Sequence, residues 1–498
     1  MSGTVQAVLA ALSTVFAWPT ILFVFLGALI GVVTGVIPGL GGAVAMVLLL
    51  PFTFVLSPAQ AMVLLVSVMG GTAFGGSLTA ILVNIPGTPP NTATCFDGYP
   101  MTKEGRADEA IGISATASAL GAVFGLVIIV AMVPVARQTI FLFQPPEFFW
   151  LAVGGLTVVA TVGRGNLYRS LVSAGFGLML GFVGFQGQVT ATRYTYDIAY
   201  LWKGISVLPL LIGLFAVTEA IRLGLRDDSI EVDEATGPSG DRRSWLDGVK
   251  HVLAHPVLFL RAAGSGTIIG MIPGVGGMLA NFVAYAQAVK TSDDPDSFGR
   301  GNPSGVLASE ASNDAKDAGA ILPTVVLGIP GSVSMVVLLS GFLLHGVTPG
   351  RQLLNENLDI LFTIIVALLI TNLVVSGLGI VTSRYLIRIT RLSTDLLVPF
   401  VLVFSVSGAY VINRSVGDVA VTLLFGLIGF AIVAFDYSRI AVVLGVILGP
   451  IAETAFHQSL AISNGDPAIF VTRPISLVLV ALVVASLVVP PLRRARAA

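Results

Sequence analysis

The chain has 498 residues, of which 55% are hydrophobic and only 11% charged, with a mean hydropathy of +0.93 and a formal net charge of -1. A soluble domain carries roughly 25% charged residues, so this surface is built for lipid, and near neutrality with a pI near 6.4 gives no electrostatic pull toward nucleic acid. Cys95 is the single cysteine, which excludes an intrachain disulfide and a cysteine metal cluster. Solid apolar runs of roughly 20 residues, with no alternation, predict an all-α polytopic membrane protein and exclude a barrel.

In chain order the apolar runs fall at 18–37, 41–56, 59–83, 111–135, 148–162, 170–185 and 205–223. The first charged residue is Asp97, so no basic n-region precedes the first run and that run is expected to stay as a membrane helix. A polar stretch follows at 226–250, "RDDSIEVDEATGPSGDRRSWLDGVK", and then runs at 256–271, 276–289, 304–327, 333–345, 358–382, 395–412, 416–435, 441–456 and 475–489. Some of these are half-helices, giving about 10–14 membrane segments. The expected division is a first transmembrane half at 1–225, a polar cytoplasmic connection at 226–250, the core of a second half at 251–392 and C-terminal transmembrane helices at 393–498.

Lys and Arg concentrate in cytoplasmic loops. Arg493, Arg494 and Arg496 place the C-terminus inside, and Arg384, Arg388 and Arg391 place their loop inside, as do Arg222, Arg226, Arg242, Arg243 and Lys250 for the central connection. Counting spans from these anchors puts Lys103 and Arg106 inside and Arg351 outside.

That parity bears on a repeat. "GVVTGVIPGLGG" at 31–42 aligns with "GTIIGMIPGVGG" at 266–277, with identities at Gly31, Gly35, Ile37, Pro38, Gly39, Gly41 and Gly42. Downstream, "NIPGTPPN" from Asn84 is echoed by "GIPGSVSM" from Gly328. The loop after the downstream IPG is expected inside in the first half and outside in the second, which predicts two inverted-topology repeats with broken helices or re-entrant hairpins. Proline removes an N–H and glycine admits left-handed backbone, so Pro-Gly-x-Gly-Gly breaks a helix. At membrane depth such a break either packs helices closely through small residues or lines a site, its freed N–H groups facing an anion and its carbonyls a cation.

Polar residues gather near these breaks. Asn84, Thr88, Asn91, Thr92 and Thr94 surround the first downstream IPG, and Ser332 and Ser334 the second. They are neutral ligands, suited to a hard cation or to a carboxylate. In "SGVLASEASNDAKDAGAILP", Glu310, Asn313, Asp314 and Asp317 share roughly one helix face. Acids in a membrane are expensive and usually functional; these bind Na⁺ or H⁺, or pair with Lys316. Because acids repel an anion, Asn313 is the preferred ligand, and Glu310 is structural or ion-linked. His251 and His255 stand four apart without a nearby third ligand and with Pro256 following, so no metal site is assigned. No lysine follows a glycine, which excludes a P-loop, and neither a G-x-S-x-G elbow nor H-E-x-x-H occurs. No enzyme activity is expected.

The sequences "GVIPGLGGAVAMVLLLPFTF", "GGTAFGGSLTAILVNIPGTPPNTATCFDGYPMTKEGRADEAIGIS", "SGVLASEASNDAKDAGAILPTVVLGIPGS", "HGVTPG" and "NGDPAIFVTRPIS" resemble the large membrane subunit of the bacterial tripartite tricarboxylate transporters, over about Gly27 to Ser476. The resemblance implies a multi-pass secondary carrier of the bacterial cytoplasmic (inner) membrane. Its partners would be a small four-helix membrane subunit and a periplasmic solute-binding protein, its substrate an organic carboxylate such as citrate. It implies no cofactor, with Na⁺ or H⁺ as coupling ion. Matched motif by motif, the substrate or ion candidates are Pro38, Gly39, Gly41, Gly42, Asn84, Gly87, Thr88 and Asn91, then Pro273, Gly274, Gly276, Gly277, Asn313, Gly331 and Ser332; a coupling Na⁺, if used, falls within the same set. Asp314 departs from the family pattern, where a second Asn is expected. The alternative is a channel-type or binding-protein-independent organic anion permease; uphill uptake that collapses with the Na⁺ or H⁺ gradient would reject a channel.

Overall fold

The computed structural model describes residues 2–37, 40–162, 167–186, 191–225, 242–272, 276–386 and 394–497. Pro38, Gly39, Pro273 and Gly274 lie outside the described residues, as does 226–241 of the polar connection.

Helix α1 (Ser2–Phe16) meets α2 (Thr20–Val36) at a bend of 74°. After extended Ile37, α3 (Gly41–Leu49) begins on Gly41 in left-handed backbone (φ 58°) and tightens into a 3-10 turn at Leu50–Val55. Helix α4 (Pro58–Val83) starts on a capping box: the Gln60 N–H donates to Ser57 Oγ (3.3 Å) and the Ser57 N–H to Gln60 Oε1 (3.2 Å), with Pro58 at the first helical position. From Ala61 to Leu82 every α4 residue is buried, as expected of a helix without a polar stripe.

A 3-10 turn (Pro89–Asn91) leads into α5 (Thr92–Lys103), then α6 (Ala107–Thr139), α7 (Pro145–Val162) and α8 (Leu167–Gly181). Short strands β1 (Gly184–Gln186) and β2 (Ala191–Arg193) pair antiparallel, with Phe185 opposite Thr192. A continuous helical stretch follows: α9 (Val207–Leu211), a π-turn (Ile212–Val217) and α10 (Thr218–Gly224).

The second half opens on α11 (Arg242–Ala254) and α12 (Pro256–Gly270), bent by 79°. Then come α13 (Gly276–Thr291), α14 (Pro303–Leu327), α15 (Val333–Leu344), α16 (Arg351–Asn355) and α17 (Leu358–Leu386). Helices α18 (Thr394–Asn413), α19 (Val416–Ala434), α20 (Arg439–Ile462), α21 (Ile469–Thr472) and α22 (Pro474–Ala497) complete the chain.

Among the described residues, six helices are long and apolar enough to cross a membrane, or up to eight if each bent pair is one span, and four shorter apolar helices accompany them. The protein is therefore an all-α, multi-pass membrane protein with one small β-pair added. Hydropathy places most helices to within a few residues. It does not mark α1 or α5, and residues 242–250 of the polar connection are helical in α11 rather than loop.

Lipid gives no hydrophobic drive between helices, so close van der Waals contact and interhelical hydrogen bonds decide the packing. Helix α2 meets α4 through glycines four residues apart. A Cβ on Gly27, Gly31 or Gly35 would lie 2.7, 2.3 or 2.5 Å from the carbonyl oxygens of Leu64, Val68 and Thr72. Helix α12 meets α14 in the same way: a Cβ on Gly266 or Gly270 would lie 2.7 or 2.2 Å from the carbonyl oxygens of Ser312 and Lys316. Each of these pairs is covered by a long helix of the other half. Thr371 on α17 donates to Ser67 on α4 (2.8 Å), and Gly121 on α6 rests on the Ala311 carbonyl of α14.

Candidate substrate and ion site

Both downstream IPG loops leave their helices alike. Asn84 ends α4 and Gly328 ends α14 in left-handed backbone (φ 57° and 69°), the turn that closes a helix C-terminus. Gly87 then packs on the Gly35 carbonyl and Gly331 on the Gly270 carbonyl, so each IPG loop abuts the helix that runs into its own IPGxGG break. Thr88 and Ser332 follow in extended backbone at the start of the next helical turn. The Met335 N–H donates to Ser332 Oγ (3.3 Å), and Thr88 donates to Asn91 Oδ1.

Asn91 carries the first loop into the core. Its amide donates to Ser77 Oγ (2.8 Å) and to the Ala73 carbonyl (3.2 Å), in space that Gly76 leaves free. Ser77 in turn donates to Glu310 Oε2 (2.7 Å). Glu310 is fully buried and accepts three further hydroxyl hydrogens: Thr94 onto Oε1 (2.5 Å), Ser114 (3.0 Å) and Ser118 (3.1 Å) onto Oε2. One acid of the second half is thus held by hydroxyls from α4, α5 and α6 of the first.

Farther along α14, Lys316 is paired with Asp317 (2.7 Å), and its stem crosses the space left by Gly277. Gly277 also faces Pro90 of the first IPG loop, whose carbonyl accepts the Asn281 amide (2.9 Å). Asn313 lies one turn from both Ser309 and Lys316 on this face. Both polar atoms of its amide are buried without a hydrogen-bond partner, and so are Asn281 Oδ1, Ser312 Oγ and Asp314 Oδ2. Buried polar groups are normally paired, so these atoms are places where a bound molecule or ion would be satisfied.

Asp97 locks the halves together at one end of this region. Fully buried, it accepts the N–H groups of Gly299 (2.8 Å), Gly301 (3.0 Å) and Asn302 (2.9 Å) on Oδ1 and the Tyr285 hydroxyl (2.8 Å) on Oδ2. The three N–H groups converge because Gly299 and Gly301 take positive φ (78° and 99°), open to glycine at little cost.

Of the residues singled out by sequence, Gly87, Thr88 and Asn91 come together with Ser77, and Gly277 joins them through Pro90. Gly42 packs on Thr72 of α4, as Gly277 packs on Lys316 of α14. Gly41 and Gly276 begin the half-helices α3 and α13, and a Cβ on Gly41 would meet open space. Asn84 is exposed and closes α4. Ser77, Ser114, Ser118, Asn281 and Asp97 escaped sequence reasoning; the spacing of Ser114 and Ser118, one turn apart in an apolar helix, was the available signal.

Interrupted helices around a buried polar core, in a multi-pass membrane protein, are an arrangement that membrane transporters use. The chain matches the Tripartite tricarboxylate transporter TctA family over residues 21–444, and it belongs to that family. It is 33% identical to an Agrobacterium vitis protein described as an uncharacterized 52.8 kDa protein in the TAR-I ttuC' 3' region, across 94% of this chain and 92% of that one. A second Agrobacterium vitis protein, from the TAR-II ttuC' 3' region, is 30% identical across 42% of this chain and 87% of its own length. No solved structure matches the chain.

Proposed function

We propose that this chain is the large transmembrane subunit of a binding-protein-dependent secondary transporter that imports organic carboxylates of the tri- or dicarboxylate class, coupled to Na⁺ or H⁺. Membership of the TctA family carries the reading. On it, the chain sits in the bacterial inner membrane with its C-terminus in the cytoplasm, beside a small four-helix membrane subunit, and receives substrate from a periplasmic binding protein. The substrate lies between the two IPG loops, held by the Thr88, Asn91, Asn313 and Ser332 side chains and by N–H groups freed at the glycine breaks. The unpartnered Asn313 amide and the crosswise contact of Gly277 and Asn281 with Pro90 support that placement.

The halves are inverted repeats in this proposal. Supporting it, Gly31, Gly35, Gly42 and Gly87 make contacts that Gly266, Gly270, Gly277 and Gly331 make again. A mobile body carrying both IPG loops moves across the membrane, as in an elevator. Proteoliposomes containing the full transporter, given a panel of di-, tri- and aromatic carboxylates under imposed Na⁺ or pH gradients, test the reading. Gradient-dependent accumulation of at least one carboxylate is expected. Uptake that only equilibrates rejects a coupled carrier, and full transport with the IPG loops cross-linked at fixed depth rejects the elevator.

A further inference from the structure

We infer that the Lys316 ammonium, brought to the N-terminal end of α13 at the second IPGxGG break, receives a carboxylate group of the substrate and makes the site select for an ionised acid. The inference rests on the carrier reading above and deepens it, by assigning which of the two breaks holds the substrate's charge. Among the described residues Lys316 is the one Lys or Arg that is buried, with 7% of its side chain exposed. Its stem passes Gly277, the second residue of α13, where a Cβ would run into Lys316 Cε and Cδ and stand 2.9 Å from Cγ of Pro90. Glycine at 277 therefore opens the path that carries the ammonium to the first turn of α13, beside the first IPG loop.

That is an unfavourable place for a cation alone. A helix N-terminus is the positive end of the helix dipole, and its first N–H groups have no helical acceptor. A cation and a helix N-terminus that converge are both completed by an anion. Asp317 supplies part of it: Lys316 donates to Asp317 Oδ1 (2.7 Å). An ammonium carries three hydrogens, and among the described residues Asp317 is the one partner that the Lys316 ammonium bonds.

Asn313 points independently to a missing ligand. It is 1% exposed, and both polar atoms of its amide lack a partner. It stands four residues before Asp317 and so shares its face of α14; an ammonium drawn to Asp317 is drawn to the side of the orphaned amide. One carboxylate bridging Lys316 Nζ and Asn313 Nδ2 would satisfy donors on both. The other acids of α14 stand apart from this spot. Glu310 lies six residues away among hydroxyls of α4, α5 and α6, and Asp314 lies two residues before Lys316, roughly 200° around the helix.

The first break offers no matching charge. There Gly42 packs on Thr72 as Gly277 packs on Lys316. The Thr72 hydroxyl already donates to the Val68 carbonyl (2.7 Å), and Ala73 stands at the step that matches Asp317. The substrate's ionised group is thus directed to the second break, where low polarity makes the attraction strong.

Unfolding of the purified full chain in nanodiscs, followed against rising citrate, succinate or benzoate, tests the assignment, because a molecule that binds the folded state raises its unfolding temperature. At least one of the three acids is expected to stabilise the wild type. Lys316→Thr combined with Asp317→Ala copies the Thr72–Ala73 step of α4 and removes both charges together, so no lone buried charge is left to unfold the chain. It should raise the half-saturating concentration by about thirtyfold or more. Asp317→Asn frees the ammonium from its competitor and should bind at least as tightly as the wild type, whereas a pair that only shaped the site would lose binding in both variants. No stabilisation of the wild type by any of the three acids, wild-type half-saturation in the double variant, or loss of binding in Asp317→Asn overturns the assignment. In the assembled transporter the double variant should raise KM with kcat kept, and a lower kcat at unchanged KM overturns the binding role. A wild type that binds a carboxylate through Lys316 but accumulates none would instead sink the carrier reading and leave the site standing.

Discussion

Helices α4 and α14 hold matching places: each lies against a glycine row, ends in a left-handed residue and runs into an IPG loop. Their chemistry differs. Where α14 carries Glu310, Asp314 and Lys316, the matching steps of α4 carry Val66, Gly70 and Thr72. All four hydroxyls that hold Glu310 come from the first half. The glycine contacts recur in both helix pairs, while the ionisable groups are concentrated on one of them. Close backbone contact sets where the helices lie, and the polar residues differ between the two pairs.

Mutations can break or sharpen this comparison. The largest effect is expected where the copies differ most. Asp97→Ala strands three N–H groups and a tyrosine hydroxyl and should cost about 4 kcal/mol in unfolding measured in detergent. The matching position on α15 is Gly341, whose added methyl meets the flexible ends of Leu65, Met62 and Leu50, so Gly341→Ala should cost about 1 kcal/mol or less. Gly35→Ala and Gly270→Ala each press a Cβ into a backbone carbonyl, and each should cost about 3 kcal/mol. A difference between these two of more than about 1 kcal/mol would show that the copies do not share one packing. Asn91→Ala removes a buried donor from Ser77 and should cost about 2 kcal/mol together with a loss of uptake. Ser332→Ala removes the cap of α15 and should cost about 1 kcal/mol in the same unfolding assay.

Hydropathy revealed the membrane helices because lipid demands long apolar stretches, and Pro-Gly-x-Gly-Gly marked the ends of α2 and α12 because proline and glycine interrupt a helix. Helix α5 stayed hidden because Asp97, Pro100 and Lys103 interrupt its apolar pattern, and α11 because its polar face reads as loop. The Glu310 cage was not legible for a different reason. Ser77, Ser114 and Ser118 are ordinary small residues in their own helices, and their role comes from a carboxylate roughly 200 positions away. Reasoning from repulsion favoured Asn313 over Glu310, and without the fold nothing indicated that Glu310 had four donors waiting.

The interlock of α14 with the first half also bears on how the protein is made. A helix with Glu310, Asp314, Lys316 and Asp317 along its middle is costly to release into lipid alone. Its hydroxyl partners are synthesised 192 to 233 residues earlier. Placed in a membrane, α14 would need α4, α5 and α6 already beside it, and the order of translation would then also be the order of assembly. The second half, expressed by itself, would present the translocon with a segment whose acids have no hydroxyls to receive them.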